Sequence, residues 1–137
     1  MTADGLIVRA SRYGLTETAD RLVAAATEHG MTVMARVDHA AGAAKVGLAL
    51  RSTEVLMFGN PRAGTLLMEL AQTIGIDLPL KALVWQDEAG QIWLGYNDPY
   101  WLAARHGVVG GDAVVQAMSD LLGVVVGAAL APDRSPS

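Results

Sequence analysis

Apolar and polar positions along this chain switch between two periods, and the switches mark its elements. From Leu6 to Ser11, Leu6, Val8 and Ala10 alternate with Ile7, Arg9 and Ser11, the pattern of a half-buried strand. Tyr13-Gly14 interrupts it, Thr16 is placed to cap a helix, and Ala19, Leu22, Val23 and Ala26 then recur at helical spacing. Gly30 stands where a left-handed residue closes a helix. Met31 to Asp38 returns to period two, with Met31, Val33, Ala35 and Val37 on one face, and His39 to Ala44 reads as a loop of small residues. Val46–Leu50 and Glu54–Phe58 read as two short strands turning about Arg51-Ser52-Thr53.

Asn60 is a strong N-cap and Pro61 a strong first helical residue, because the donor that proline lacks has no helical partner there. Leu67, Leu70, Ala71 and Ile74 form the apolar stripe of that helix, and Gly75 is expected to end it. Pro79 forces Leu78 into extended geometry ahead of a strand from Leu80 to Gln86. Asp87 to Gly90 turns that strand into another at Gln91 to Tyr96. Asp98-Pro99 repeats the cap-and-proline signal for a short helix whose last turn carries Arg105 and His106. Asp112 is expected to cap a final helix, with Val114, Met118, Leu121, Leu122 and Val125 as its apolar face. The order β-α-β-β-β-α-β-β-α-α predicts an α+β fold, a single largely antiparallel sheet of about six strands with helices on one face.

Composition narrows the function more than it names one. The chain has 137 residues, which predicts one domain over residues 1–131 with a tail at 132–137. It has no cysteine, so disulfides, thiolate nucleophiles and zinc–thiolate sites are excluded. Three dispersed histidines make no metal-ligand spacing, and no cofactor loop is present, so neither a metal nor a cofactor is expected. Net charge is −4 with the basic residues scattered singly, which argues against nucleic acid as a partner. The most apolar run, Leu121 to Ala131, falls short of the roughly 20 residues that cross a bilayer. With no signal-peptide pattern after Met1 either, the expectation is a cytoplasmic protein without a membrane partner.

Several separated motifs then stand out together: Asp38-His39, Leu56-Met57-Phe58-Gly59-Asn60-Pro61, Gly64-Thr65, Leu67-Met68, Ile76-Asp77-Leu78-Pro79-Leu80-Lys81-Ala82-Leu83-Val84-Trp85, Tyr96-Asn97-Asp98-Pro99, Leu102-Ala103 and His106-Gly107. In this order they resemble domain-of-unknown-function family 302, from about Gly5 to Gly107. The resemblance implies one curved sheet in the order above and a homodimer, and it brings no agreed activity, substrate or cofactor. Ser52 and Gln72 stand where relatives commonly have proline, and neither touches a candidate site.

Candidate chemistry follows from residue types at strand ends and helix starts. Asp38-His39 offers a carboxylate beside an imidazole, although adjacent strand residues face opposite ways and the aspartate more simply caps the following loop. Asn60, Arg62 and Thr65 surround a helix N-terminus that could hold a small anion, and a plain capped helix explains the first of them equally well. Asp77 and Lys81 flank a proline-fixed turn, where an aspartate commonly accepts backbone hydrogen bonds; the functional alternative is that Asp77 meets His39 across the sheet end as a second acid/base group. Tyr96 belongs to an aromatic group with Trp85, Trp93, Tyr100 and Trp101 that suits either a ligand pocket or a buried interface. Taken together these residues suggest a homodimeric module binding a small organic or anionic metabolite. The alternatives are an acid/base enzyme built on Asp38, His39 and Asp77, and a structural subunit assembling through the apolar final helix.

Overall fold

A computed structural model describes residues 3–133, and its sheet has five strands in the order β1-β5-β4-β3-β2, every neighbouring pair antiparallel. The elements run β1 (Leu6–Ser11), α1 (Leu15–Glu28), β2 (Thr32–Asp38), α2 (His39–Lys45), β3 (Thr53–Gly59) and α3 (Pro61–Leu70). A 3-10 turn (Gln72–Asp77), β4 (Leu80–Gln86), β5 (Ile92–Asn97), α4 (Pro99–Arg105) and α5 (Asp112–Leu130) complete the chain.

The alternation read from the sequence sorts the sheet into two faces, except in β2: the register shift between Val33 and Ala35 puts Val33 on the face of Phe58 and moves Ala35 and Val37 to the face of Met57 and Val55. One carries Leu56 and Phe58 from β3, Leu80, Ala82 and Val84 from β4, and Ile92, Leu94 and Tyr96 from β5, all buried. Helices α1 and α5 pack there, contributing Ala19, Leu22, Ala26, Leu122, Val125 and Val126 at 0–1% exposure. Removing several leucine-sized side chains from water at about 1.5–3 kcal/mol each supplies the main drive for closure. On the opposite face no large side chain is buried among the described residues.

Three expectations need correction. Val46–Leu50 is not a strand, which makes the sheet five-stranded. The reason is topological: β3 pairs with β2 on one side and β4 on the other, so both of its edges are filled. The small residues from His39 form α2 rather than a loop, because the Asp38 carboxylate accepts a hydrogen bond from the Ala41 amide at 2.9 Å and starts a turn of alanines. Gly75 does not end the third helix; α3 stops at Leu70 and the chain continues as the 3-10 turn through Asp77.

Helix starts shift slightly. Gly14 rather than Thr16 is the N-cap of α1, and Gly111 rather than Asp112 that of α5. Of the expected tail, residues 134–137 lie outside the described residues, while Asp133 is held by the Arg21 guanidinium at 2.7 Å. In α5, Val115, Met118, Leu122, Val125 and Val126 are buried in the core, Val114 and Leu121 are half-buried, and Val124 stands out at 53% exposure.

Candidate binding cleft

The sequence landmark at Gly59-Asn60-Pro61 forms one wall of a cleft. Asn60 Oδ1 accepts from the Arg62 amide at 2.9 Å, and Pro61 opens α3 as its pattern requires. Thr65 donates its hydroxyl to Pro61 O at 2.7 Å, one turn back. Opposite them run Gly75, Leu78, Pro79 and Leu80, with Met118 of α5 below, around a cavity of about 320 Å³. Met34 reaches its rim because the β2–β3 register shifts between Val33 and Ala35, a bulge that re-aims the side chain there. Gly64 faces Leu78 across the cleft, where an added Cβ would lie 3.5 Å from a leucine methyl.

A second cavity of about 360 Å³ adjoins it, sharing Asn60, Leu80 and Met118 and extending under Arg62 to Val114 and Leu121 of α5. Asn60 therefore stands on the partition. Its Oδ1 is committed to the helix cap, and its amide donors have no partner among the described residues. Among the described residues, Asn60 and Thr65 are the polar side chains that line the first cleft, and no charged group lines it.

The other candidates divide among different places. Asp38 and His39 lie at the opposite end of the sheet: Asp38 pairs with Glu54, whereas Phe58 pairs with Leu80, just after Asp77. Four residues of strand at about 3.3 Å each put roughly 13 Å between those rungs. The structure therefore does not bring Asp38, His39 and Asp77 together, and the acid/base arrangement loses its geometry. Lys81 pairs with Met57 on the uncovered face, turned away from the cleft. Tyr96 is 8% exposed on the core face, where burial pushes its hydroxyl up, Arg9 opposes the shift and Asp98 adds to it.

Asp77 meets a histidine, His106 rather than His39. His106 Nε2 donates to Asp77 Oδ2 at 2.5 Å, and Arg105 Nη1 donates to both oxygens at 2.7 and 2.9 Å. With Nε2 donating, Nδ1 of a neutral ring accepts from the Thr73 hydroxyl, 2.9 Å away. Burial raises the Asp77 pKa, and the hydrogen bonds from His106 and Arg105 outweigh it, holding the carboxyl below its ordinary range. Thr73, His106 and Asp77 have the order of a nucleophile, base and orienting acid. None of the three lines either cleft, so the arrangement ties the 3-10 turn to the end of α4. The sequence offered no spacing signal for it, because Thr73 and Asp77 lie in a 3-10 segment of three residues per turn and meet only through His106 at the end of α4.

The model of the family "Domain of unknown function DUF302" matches residues 7–125, and the chain belongs to that family. A crystal structure of an uncharacterized conserved DUF302 protein from Bacillus stearothermophilus superposes with a TM-score of 0.81, covering 90% of this chain and 97% of that one. At 19% identity that likeness establishes the fold alone. Among curated proteins, "Fluoride-specific ion channel FluC 1" of Brucella suis biovar 1 (strain 1330) is 48% identical over 122 residues. The match takes in 88% of this chain and 48% of that protein. The protein of the same name from Brucella abortus biovar 1 (strain 9-941) is 48% identical over the same length, with 45% of it covered. The chain thus spans about half the length of the curated relatives it matches. These names overturn the expectation of a protein without a membrane connection, because the relatives are named as ion channels.

Proposed function

We propose that the protein is a small-molecule-binding module whose ligand sits in the cleft between α3 and the Gly75–Leu80 segment, on the partition formed by Asn60. The observation that carries this reading is the cavity of about 320 Å³ with two polar side chains in an otherwise apolar lining. That volume falls within the roughly 300–1,000 Å³ of ordinary ligand sites, and such a lining suits one or two oriented polar contacts around an apolar body. The absence of a charged lining residue favours an organic ligand over a bare anion. On this reading the ligand presents an acceptor to the Asn60 amide, and the module works as a homodimer.

The relatives' names give the module a setting. In them a domain like this one is joined to a further segment of similar length, and we assign the channel to that segment. One helix here, α5, is long and apolar enough to cross a membrane by length and composition. Its Val115, Met118, Leu122 and Val125 are instead buried in the core. An open five-stranded sheet also leaves the edges of β1 and β2 unpaired, which hydrocarbon does not tolerate. The domain therefore lies in water beside the bilayer, where ligand occupancy could act on an attached channel.

Calorimetric titration against a metabolite library tests the cleft. A ligand bound by the native protein, and lost or at least tenfold weaker in Asn60→Ala and in Gly64→Leu, is expected. Asp77→Ala lies outside the cleft and is expected to keep the affinity. Unchanged binding in both cleft variants would remove the ligand from this site.

A further inference from the structure

The connection from β2 to β3 runs from His39 to Ser52, although neighbouring antiparallel strands need only two to five residues to turn. Helix α2 within it has no buried residue. Beyond α2, Val46, Leu48 and Leu50 are 71%, 66% and 51% exposed, alternating with Gly47 and Ala49. This is the apolar alternation of a half-buried strand with nothing behind it.

The same chain carries an apolar sheet face whose large side chains are half-buried or exposed among the described residues. Register places Val8, Gly95, Leu83, Val55 and Val37 in one row crossing all five strands on the face away from the helices. Trp93 and Trp85 stand in the next row, the Trp85 ring lying over Gly95, where an added Cβ would be 3.0 Å from it. Lys81 is the one ionisable side chain that the pairing puts on this face.

We propose that residues 39–50 are an exchange arm, and that Val46, Leu48 and Leu50 seat on the open sheet face of a second copy of this chain. The proposal rests on the homodimer reading and adds how that dimer is built. Areas support a second copy. Five strands about 4.8 Å apart and about 20 Å long present roughly 480 Å². A standard interface buries about 800 Å² on each partner, so the face alone falls short and the arm supplies the remainder. A two-fold axis then gives both arms a seat at once, since each chain carries one arm and one face.

Sedimentation over a concentration series, with circular dichroism to verify folding, tests the arm. The native protein is expected to be a dimer. A Leu48→Asp/Leu50→Asp variant is expected to associate about 100-fold more weakly, because an unpaired carboxylate would be buried in the contact. Val124→Asp, exposed on α5, is expected to leave association unchanged. A native monomer would overturn both the dimer and the arm; a folded arm variant that stays dimeric would overturn the arm alone. Since the chain has no cysteine, a second measurement is clean. Leu48→Cys protein mixed with Leu83→Cys protein is expected to form a disulfide between the two kinds of chain, and its absence under oxidation would overturn the proposal whatever the acidic variant does.

Discussion

Two long connections leave β3, and they have opposite fates. The one towards β4 folds as α3 and the 3-10 turn, buries Leu67 and Ile74 at 2% and 1% exposure, and is tied to α4 by Asp77, Arg105 and His106. The one from β2 folds as α2 and an extended run, buries nothing in α2, and leaves Val46, Leu48 and Leu50 in solvent. Both begin with a carboxylate or amide cap, Asp38 for α2 and Asn60 for α3. Local capping therefore does not separate them. What separates them is whether their apolar side chains reach the core side of the sheet: Leu67 and Ile74 do, and Val46, Leu48 and Leu50 do not.

The sharpest way to break that contrast is in side-chain volume. Leu67→Ala is expected to cost about 3 kcal/mol in urea unfolding, as large-to-small core changes do. Leu48→Ala, measured at a concentration where the chain is monomeric, is expected to stay within about 0.5 kcal/mol. Equal losses would mean that the two connections are packed alike.

Next in size is the tie at Asp77. His106→Ala is expected to cost about 2 kcal/mol near neutral pH, the scale of a hydrogen bond to a charged group. Because the folded-state pKa of Asp77 is depressed, its contribution is present above the unfolded carboxylate range and is lost as pH falls through the folded value. Native stability should drop along that acidic limb, and Asp77→Asn should flatten it. A variant with the native acid slope would take the tie out of the account.

The smallest effects compare the caps. Asn60→Ala is expected to cost about 1 kcal/mol, since α3 is anchored by Leu67 and its loss propagates. Asp38→Ala is expected to cost roughly half as much, because α2 anchors nothing within one chain. Thermal unfolding of the two variants side by side measures the ratio.

Much of this was legible in the residues. Period-two runs placed β1 to β5 within a residue or two, and Asn60-Pro61 and Asp98-Pro99 started their helices where expected. Val46–Leu50 misled because its alternation is genuine strand chemistry, and pattern alone does not reveal that β3 has no free edge. In the site, Asn60 and Thr65 reached a common cleft because one caps and the other belongs to the first turns of the same helix. The histidine beside Asp77 was not legible for a different reason: the partner depends on which strand end and which helix end face the 3-10 turn, and only the folded chain brings His106 there.

The strand order has a consequence for how the chain is made. β1 finds its neighbour only in β5, with Ser11 opposite Ile92. During synthesis at about 5–20 residues per second, the first strand waits on the order of 4–16 s for that partner to leave the ribosome. For that interval β2, β3 and β4 can already associate, while the amino-terminal segment stays available to proteases and chaperones. The last pairing to close thus joins the earliest strand of this domain to its latest.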